Sequence, residues 1–148
     1  MNTTPAHSSP AATRIPVREG LLSANLDDLA SVRLMGSRCA HCQETTLGTS
    51  SVCPNCGGSS LQPMPLGQRG TLYSYTIVRH KPPGDYKGPD PFIPFAMGLV
   101  ELPEGIRVLA PLEGPLEGIK IGMGVRFRPF VRSSAEQPPV VTFAFSPA

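Results

Sequence analysis

Cys39, Cys42, Cys53 and Cys56 are the only cysteines of the chain, and they form two CxxC pairs ten residues apart. Four thiolates at this spacing suit one tetrahedral metal ion, because each pair turns a tight knuckle that aims both sulfurs at one point. The second knuckle, CPNCGG, adds Pro54 to shape the turn and Gly57 and Gly58 to permit unusual backbone angles. Redox use of a CxxC expects a thioredoxin-like βαβ frame, which is not evident here. The expected ion is Zn2+ in a structural role, with iron in a rubredoxin-like site as the alternative. Four protein ligands leave no position for water or substrate, so the metal would hold a shape rather than react. It would also consume every thiol, leaving no cysteine as nucleophile. His41 lies between two ligands, where side chains point outward, and is expected to be solvated.

Other chemistry concentrates in residues 79–94, RHKPPGDYKGPDPFIP. Long connections on a β scaffold are uncommon unless functional, and the five prolines here favour an ordered shape. His80 with Asp85 or Asp90 could form an acid/base pair, although no nucleophile motif accompanies them. Arg79, Lys81 and Lys87 could meet the phosphates of a nucleotide-containing ligand or of nucleic acid. Tyr86 and Phe92 could anchor in a partner's pocket. A mere covering loop is the plain alternative; docking with some phosphate contact is the expectation. Lys120, Arg126 and Arg128 form a second basic face, which is either the wet side of a sheet or a single-strand groove with Tyr73 and Tyr75 as stacking rings. A net charge of +2 argues only weakly for nucleic acid.

These residues need elements to position them. At 148 residues the chain suits one ordinary domain or two small ones. Its 18 prolines, well above the usual share of about 5%, disfavour long helices and point to a mainly β chain. Residues 1–17 read as a disordered arm, small and polar. They lack the pattern of a secretory signal, and no run of about 18 apolar residues occurs, so a cytoplasmic, reducing setting is expected. There, paired cysteines favour metal over disulfides. Residues 18–66 should hold an N-terminal helix and the cysteine module. Leu21, Leu22, Leu26 and Leu29 have amphipathic helical spacing, with Asp27 and Asp28 on the wet face. A short strand over 31–38 then leads into the first knuckle.

Residues 67–148 carry five strand signals, over 71–78, 95–102, 106–112, 118–130 and 140–146, the second and third joined as a hairpin. The fourth alternates Ile119, Ile121, Met123, Val125 and Phe127 with Lys120, Gly122, Gly124, Arg126 and Arg128, which predicts one curved strand. The last places Val141, Phe143 and Phe145 on one side. Five short strands after a cysteine module suggest a small closed barrel, most economically an OB-fold.

The order C-x2-C-x10-C-x2-C, GTLYSYTIV, FIPFAMGLVELPEGIRVLAPL and IKIGMGVRF resembles the acyl-CoA-associated proteins that join a rubredoxin-like zinc ribbon to an OB-fold. The resemblance covers residues 18 to 145. It implies a non-catalytic subunit that assembles with a larger thiolase-like enzyme, or a related hydratase, aldolase or synthase, as a hetero-oligomer. The ribbon would supply contact surface, and acyl-CoA would sit at a shared site. Only the four cysteines carry over as metal ligands. Arg79, His80, Lys81, Tyr86, Lys87 and Phe92 are candidate CoA or partner contacts on loop chemistry alone. The rival reading is a zinc-ribbon/OB module for single-stranded nucleic acid.

Overall fold

The computed structural model describes residues 13–132 and 135–148. A small antiparallel sheet has β2 (Met35–Cys39) at its centre, between β3 (Thr45–Leu47) and β4 (Leu61–Pro65). It carries the first knuckle at the end of β2, and residues 48–60, which include the second, connect β3 to β4.

A barrel follows. β5 (Arg69–Val78) pairs with β6 (Phe95–Glu101), and β6 with β7 (Arg107–Leu112), all antiparallel. β7 meets β9 (Val140–Pro147) in parallel at Leu112 and Phe145, and β9 pairs antiparallel with β8 (Gly124–Val131). β8 returns to the first three residues of β5, which closes five strands into an OB-type barrel. The long β5 makes closure possible by changing partner along its length. A bulge between Leu72 and Ser74 bends it at the change. The β6–β7 hairpin turns through Gly105 at φ +84°, with Leu102 N–H donating to the Ile106 carbonyl at 2.9 Å.

Alternation sorts the barrel strands as their sequences imply. Val125 and Phe127 of β8 and Val141, Phe143 and Phe145 of β9 are buried. The rings of Phe127, Phe143 and Phe145 lie 5.4 to 6.2 Å apart, in tilted and edge-on contacts. The same apolar cluster takes in Leu21, Leu22, Leu26, Val32, Leu34 and Leu66, so the segment before the ribbon and the barrel share one core. A smaller cluster of Leu72, Ala96 and Ile119 packs separately.

Three expectations are corrected. No α-helix occurs among the described residues. The four leucines over 21–29 do turn inward, and Asp27 and Asp28 stay exposed, but on a chain of turns ending in a 3-10 turn at Leu29–Ser31. The reason is that non-local partners take the backbone groups a helix would use. Ser23 N–H donates to the Arg33 carbonyl at 2.9 Å, Met35 N–H to the Leu21 carbonyl at 2.8 Å, and Leu22 bridges Leu34. Ser23 Oγ also accepts from Arg33 N–H at 2.8 Å, a further non-local tie between the same two segments.

Of the arm over 1–17, residues 1–12 lie outside the described residues. The remainder is ordered: β1 (Ile15–Pro16) runs parallel to Val140 and Val141, and Arg14 donates to the Leu26 carbonyl at 3.0 Å.

The single strand over 118–130 is broken. Residues 116–118 form a 3-10 turn, and the chain turns again at 120–123 before β8 begins. Gly122 has φ +91°, the sign that the third position of a type II turn requires, and its N–H donates to the Leu72 carbonyl at 2.8 Å. Ile119 is buried and Ile121 is 67% exposed, so the shared face ends at the turn.

Candidate functional site

The four cysteine sulfurs lie within 4.8 Å of one another. Cys39 Sγ is 3.7 Å from Cys56 Sγ, and Cys42 Sγ is 3.7 Å from Cys53 Sγ. A tetrahedron with metal–sulfur bonds of 2.3 Å has edges of about 3.8 Å, so the cluster already has the size of a four-thiolate metal site. Cys39 and Cys53 are buried, Cys42 is half-buried and Cys56 is exposed, so the centre opens to solvent on one side. His41 is exposed and outside the cluster, as expected.

The two knuckles repeat one backbone pattern. Gln43 N–H donates to the Cys39 carbonyl and Gly57 N–H to the Cys53 carbonyl, both at 2.9 Å. Cys39 N–H donates to the Glu44 carbonyl at 2.9 Å, and Cys53 N–H to the Gly58 carbonyl at 2.8 Å. The residue after each second cysteine is left-handed, Gln43 at φ +69° and Gly57 at +76°. Gly57 suits this for want of a Cβ. Gln43 is held there by its side chain, which accepts from Arg38 at 3.0 Å and donates to the Ala40 carbonyl at 3.2 Å.

The thiols are electrostatically unequal. The Asn55 side-chain donor at 3.5 Å, then the backbone at Glu44, pull Cys42 down to about 6. Gly58 N–H, donating at 3.4 Å, lowers Cys56, but desolvation and the neighbouring thiols outweigh it and push Cys56 up to about 12. An ion that replaces the shared protons relieves this crowding. The arrangement fits a structural metal with all four positions filled.

The loop over 79–94 divides into two parts. Arg79, His80 and Lys81 are exposed where it leaves β5. His80 is not joined to either expected carboxylate; Asp85 is engaged by Lys87 at 2.8 Å, which holds its carboxyl below the ordinary range. Tyr86 and Phe92 are half-buried and pack on Phe95, with ring centroids 5.8 to 6.2 Å apart. The Tyr86 and Phe95 rings form one wall of a groove of about 430 Å³, lined also by Ile93, Pro111, Phe130 and Arg132. Ile93 is 60% exposed at its rim. The outer faces of β6 and β7 extend the apolar surface, with Met97 beside Pro111 and Leu99 beside the exposed Leu109. Phe95, Pro111 and Phe130 were not singled out in the sequence; the outward phase of β6 and β7 was the signal that could have found the first two.

The basic face over 120–128 is divided as well. Arg128 is ion-paired with Glu113, its Nε donating at 2.6 Å, and lies over the Phe130 ring. Tyr73 and Tyr75 are exposed, but the Arg107 guanidinium already covers the Tyr73 ring at 3.7 Å. No helix among the described residues is long and apolar enough to cross a membrane.

Residues 27–62 match the rubredoxin-like zinc ribbon domain of ChsH2, and residues 64–129 match the ChsH2 C-terminal OB-fold domain. The benzoylsuccinyl-CoA thiolase subunit BbsA of Thauera aromatica is 35% identical over 101 residues, 64% of this chain and 60% of that subunit. The chain thus spans less than two thirds of that relative. BbsA of Geobacter metallireducens is 29% identical over 119 residues, covering 76% of this chain and 73% of its own. A solved structure, the Ltp2-ChsH2(DUF35) aldolase, superposes with a TM-score of 0.62 at 29% identity, over 78% of this chain and 84% of that one. The chain belongs to the ChsH2 family, in which a rubredoxin-like zinc ribbon precedes an OB-fold domain.

Proposed function

We propose that this chain is a non-catalytic, zinc-containing subunit of a thiolase-like complex that makes or cleaves carbon–carbon bonds on CoA thioesters. The observation that carries the reading is a closed four-sulfur centre that takes up every thiol of the chain, beside a barrel with an open apolar groove. Such a chain has the means to hold and dock, and among the described residues no group is placed to attack a thioester. Two BbsA thiolase subunits among its relatives support the same assignment. Cys39, Cys42, Cys53 and Cys56 hold the ion, which supplies rigidity to a ribbon too small for a core of its own. The loop over 79–94 contributes the partner-facing surface through Tyr86 and Phe92. Arg79, His80, Lys81 and Lys87 would contact an acyl-CoA shared with the larger subunit. The setting is a reducing, cytoplasmic one.

Co-expression with a thiolase-type subunit of the same organism tests the reading. A stable hetero-oligomer is expected, with acyl-CoA turnover only in the complex. Thiolase turnover by this chain alone, or failure to associate, would overturn it. Elemental analysis should find about one zinc per chain; iron, or no metal under reducing conditions, would overturn the choice of ion. If the chain instead used His80 as an acid/base, His80→Ala would abolish a turnover present in the isolated protein.

A further inference from the structure

Arg69 of β5 and Arg126 of β8 are cross-strand neighbours. Like charges directly opposite one another destabilise a sheet, so the pair calls for something negative between or above it. Both line an open groove of about 720 Å³ at the seam of ribbon and barrel, and Arg33 lines it too. Four other cations of the barrel have carboxylate partners, Arg107 with Glu101, Arg128 with Glu113, Arg132 with Glu136 and Lys87 with Asp85, while the exposed Arg79, Lys81 and Lys120 form no ion pair among the described residues. Among the described residues no carboxylate forms an ion pair with Arg33, Arg69 or Arg126.

The groove is also built. Arg33 donates to the Ala30 and Val32 carbonyls, both at 2.9 Å, which fixes its guanidinium in place. Gln68 lies against it, its side-chain oxygen accepting from Arg33 at 2.8 and 3.0 Å. The one carboxylate in the lining, Glu104, is fixed by Gly67 N–H donating to Oε1 at 2.6 Å, while its Oε2 is buried with no partner. A buried acceptor left unmet is costly, and it asks for a donor.

We propose that this groove binds a nucleotide. Arg69 and Arg126 clamp its phosphates, Arg33 adds the third positive charge, and the Glu104 carboxylate turns its covered Oε2 into the groove to accept from a ribose hydroxyl or a base amino group. Arginine forks match phosphate oxygens in pairs, and only a ligand with both an anion and a nearby donor answers the whole set. β5 runs for ten residues from Arg69 to Val78, so this site and the loop over 79–94 lie at opposite ends of that strand. Only the identity of the natural ligand, the phosphorylated adenosine end of a CoA ester, rests on the accessory-subunit reading.

Isothermal titration of the full chain at low salt, with ADP, CoA and inorganic phosphate as probes, tests the proposal. ADP and CoA should bind, more tightly than phosphate, and more weakly as salt rises. Arg69→Gln and Arg126→Gln should each weaken binding by about tenfold or more, and Arg69→Lys should fall between. Arg128→Gln should leave binding unchanged. Melting of Arg69→Gln at or above the parent temperature is expected, since the like-charge pair is gone, and separates lost binding from lost folding. The proposal is overturned if millimolar ADP and CoA do not bind, if phosphate binds as tightly as ADP, or if the arginine variants bind like the parent. A single-stranded oligonucleotide that binds more tightly than CoA through the same arginines would reassign the groove to nucleic acid and also overturn it. A chain that binds CoA but no thiolase-type partner refutes the accessory reading alone; one that assembles but binds no nucleotide refutes this proposal alone.

Discussion

Gln43 and Gly57 occupy equivalent places in the two knuckles: both are left-handed, and each donates its N–H at 2.9 Å to the carbonyl of the first cysteine of its pair. The two positions should nevertheless respond differently to substitution. A Cβ at Gly57 brings the left-handed penalty, so Gly57→Ala should cost about 1–2 kcal/mol. Gln43→Gly removes that penalty along with two exposed hydrogen bonds, and should be neutral to within about 1 kcal/mol. Thermal melts of the metal-loaded protein check both.

The shared core ties the ribbon segment to the barrel. Leu34 is 1% exposed and clusters with Val100, Phe127 and Phe145. Leu34→Ala should cost about 2–5 kcal/mol, and Phe145→Ala about 3–5 kcal/mol. Each should lower one common transition rather than unfold the ribbon or the barrel alone. Two separated transitions in calorimetry would contradict a single core.

The Arg132–Glu136 pair should give a pH-dependent contribution. Arg132 donates twice to Glu136, at 2.7 and 3.0 Å, and holds its carboxyl below the ordinary value. A depressed folded-state value means the stabilisation is present above the ordinary carboxylate range and is lost as pH falls through the lower, folded value. The melting difference between the parent and Glu136→Gln should therefore be present at neutral pH and vanish in strong acid.

The apolar groove predicts where a partner would be lost. Ile93 stands 60% exposed at the rim, and Leu109 64% exposed on the adjoining outer face of β7. Ile93→Glu and Leu109→Glu should each weaken association with the larger subunit by about tenfold or more, a loss typical of a buried interface anchor. Their melting points should stay near the parent, since neither side chain is in the core. Hydrogen exchange on the complex would show protection over 93–97 and 109–111 if this face is covered.

Part of this protein was settled by the sequence alone, where the determinants are local. C-x2-C-x10-C-x2-C makes two knuckles whatever surrounds them, because the bonds from Gln43 and Gly57 reach back only four residues. Period-two alternation likewise put Val125, Phe127, Val141, Phe143 and Phe145 inside, since a strand has only two faces. Elsewhere the tertiary structure decided. Leucine spacing over 21–29 was right about burial and wrong about the helix, because Arg33, Leu34 and Met35 capture backbone groups that the helix needed. Alternation over 119–127 ended at Gly122, where a bond to Leu72 on another strand favours a turn. Of the groove of Arg33, Arg69 and Arg126, sequence spacing marked only Arg126. Barrel closure sets Arg69 opposite Arg126, and a register of that kind exists only once strands far apart in the chain have paired.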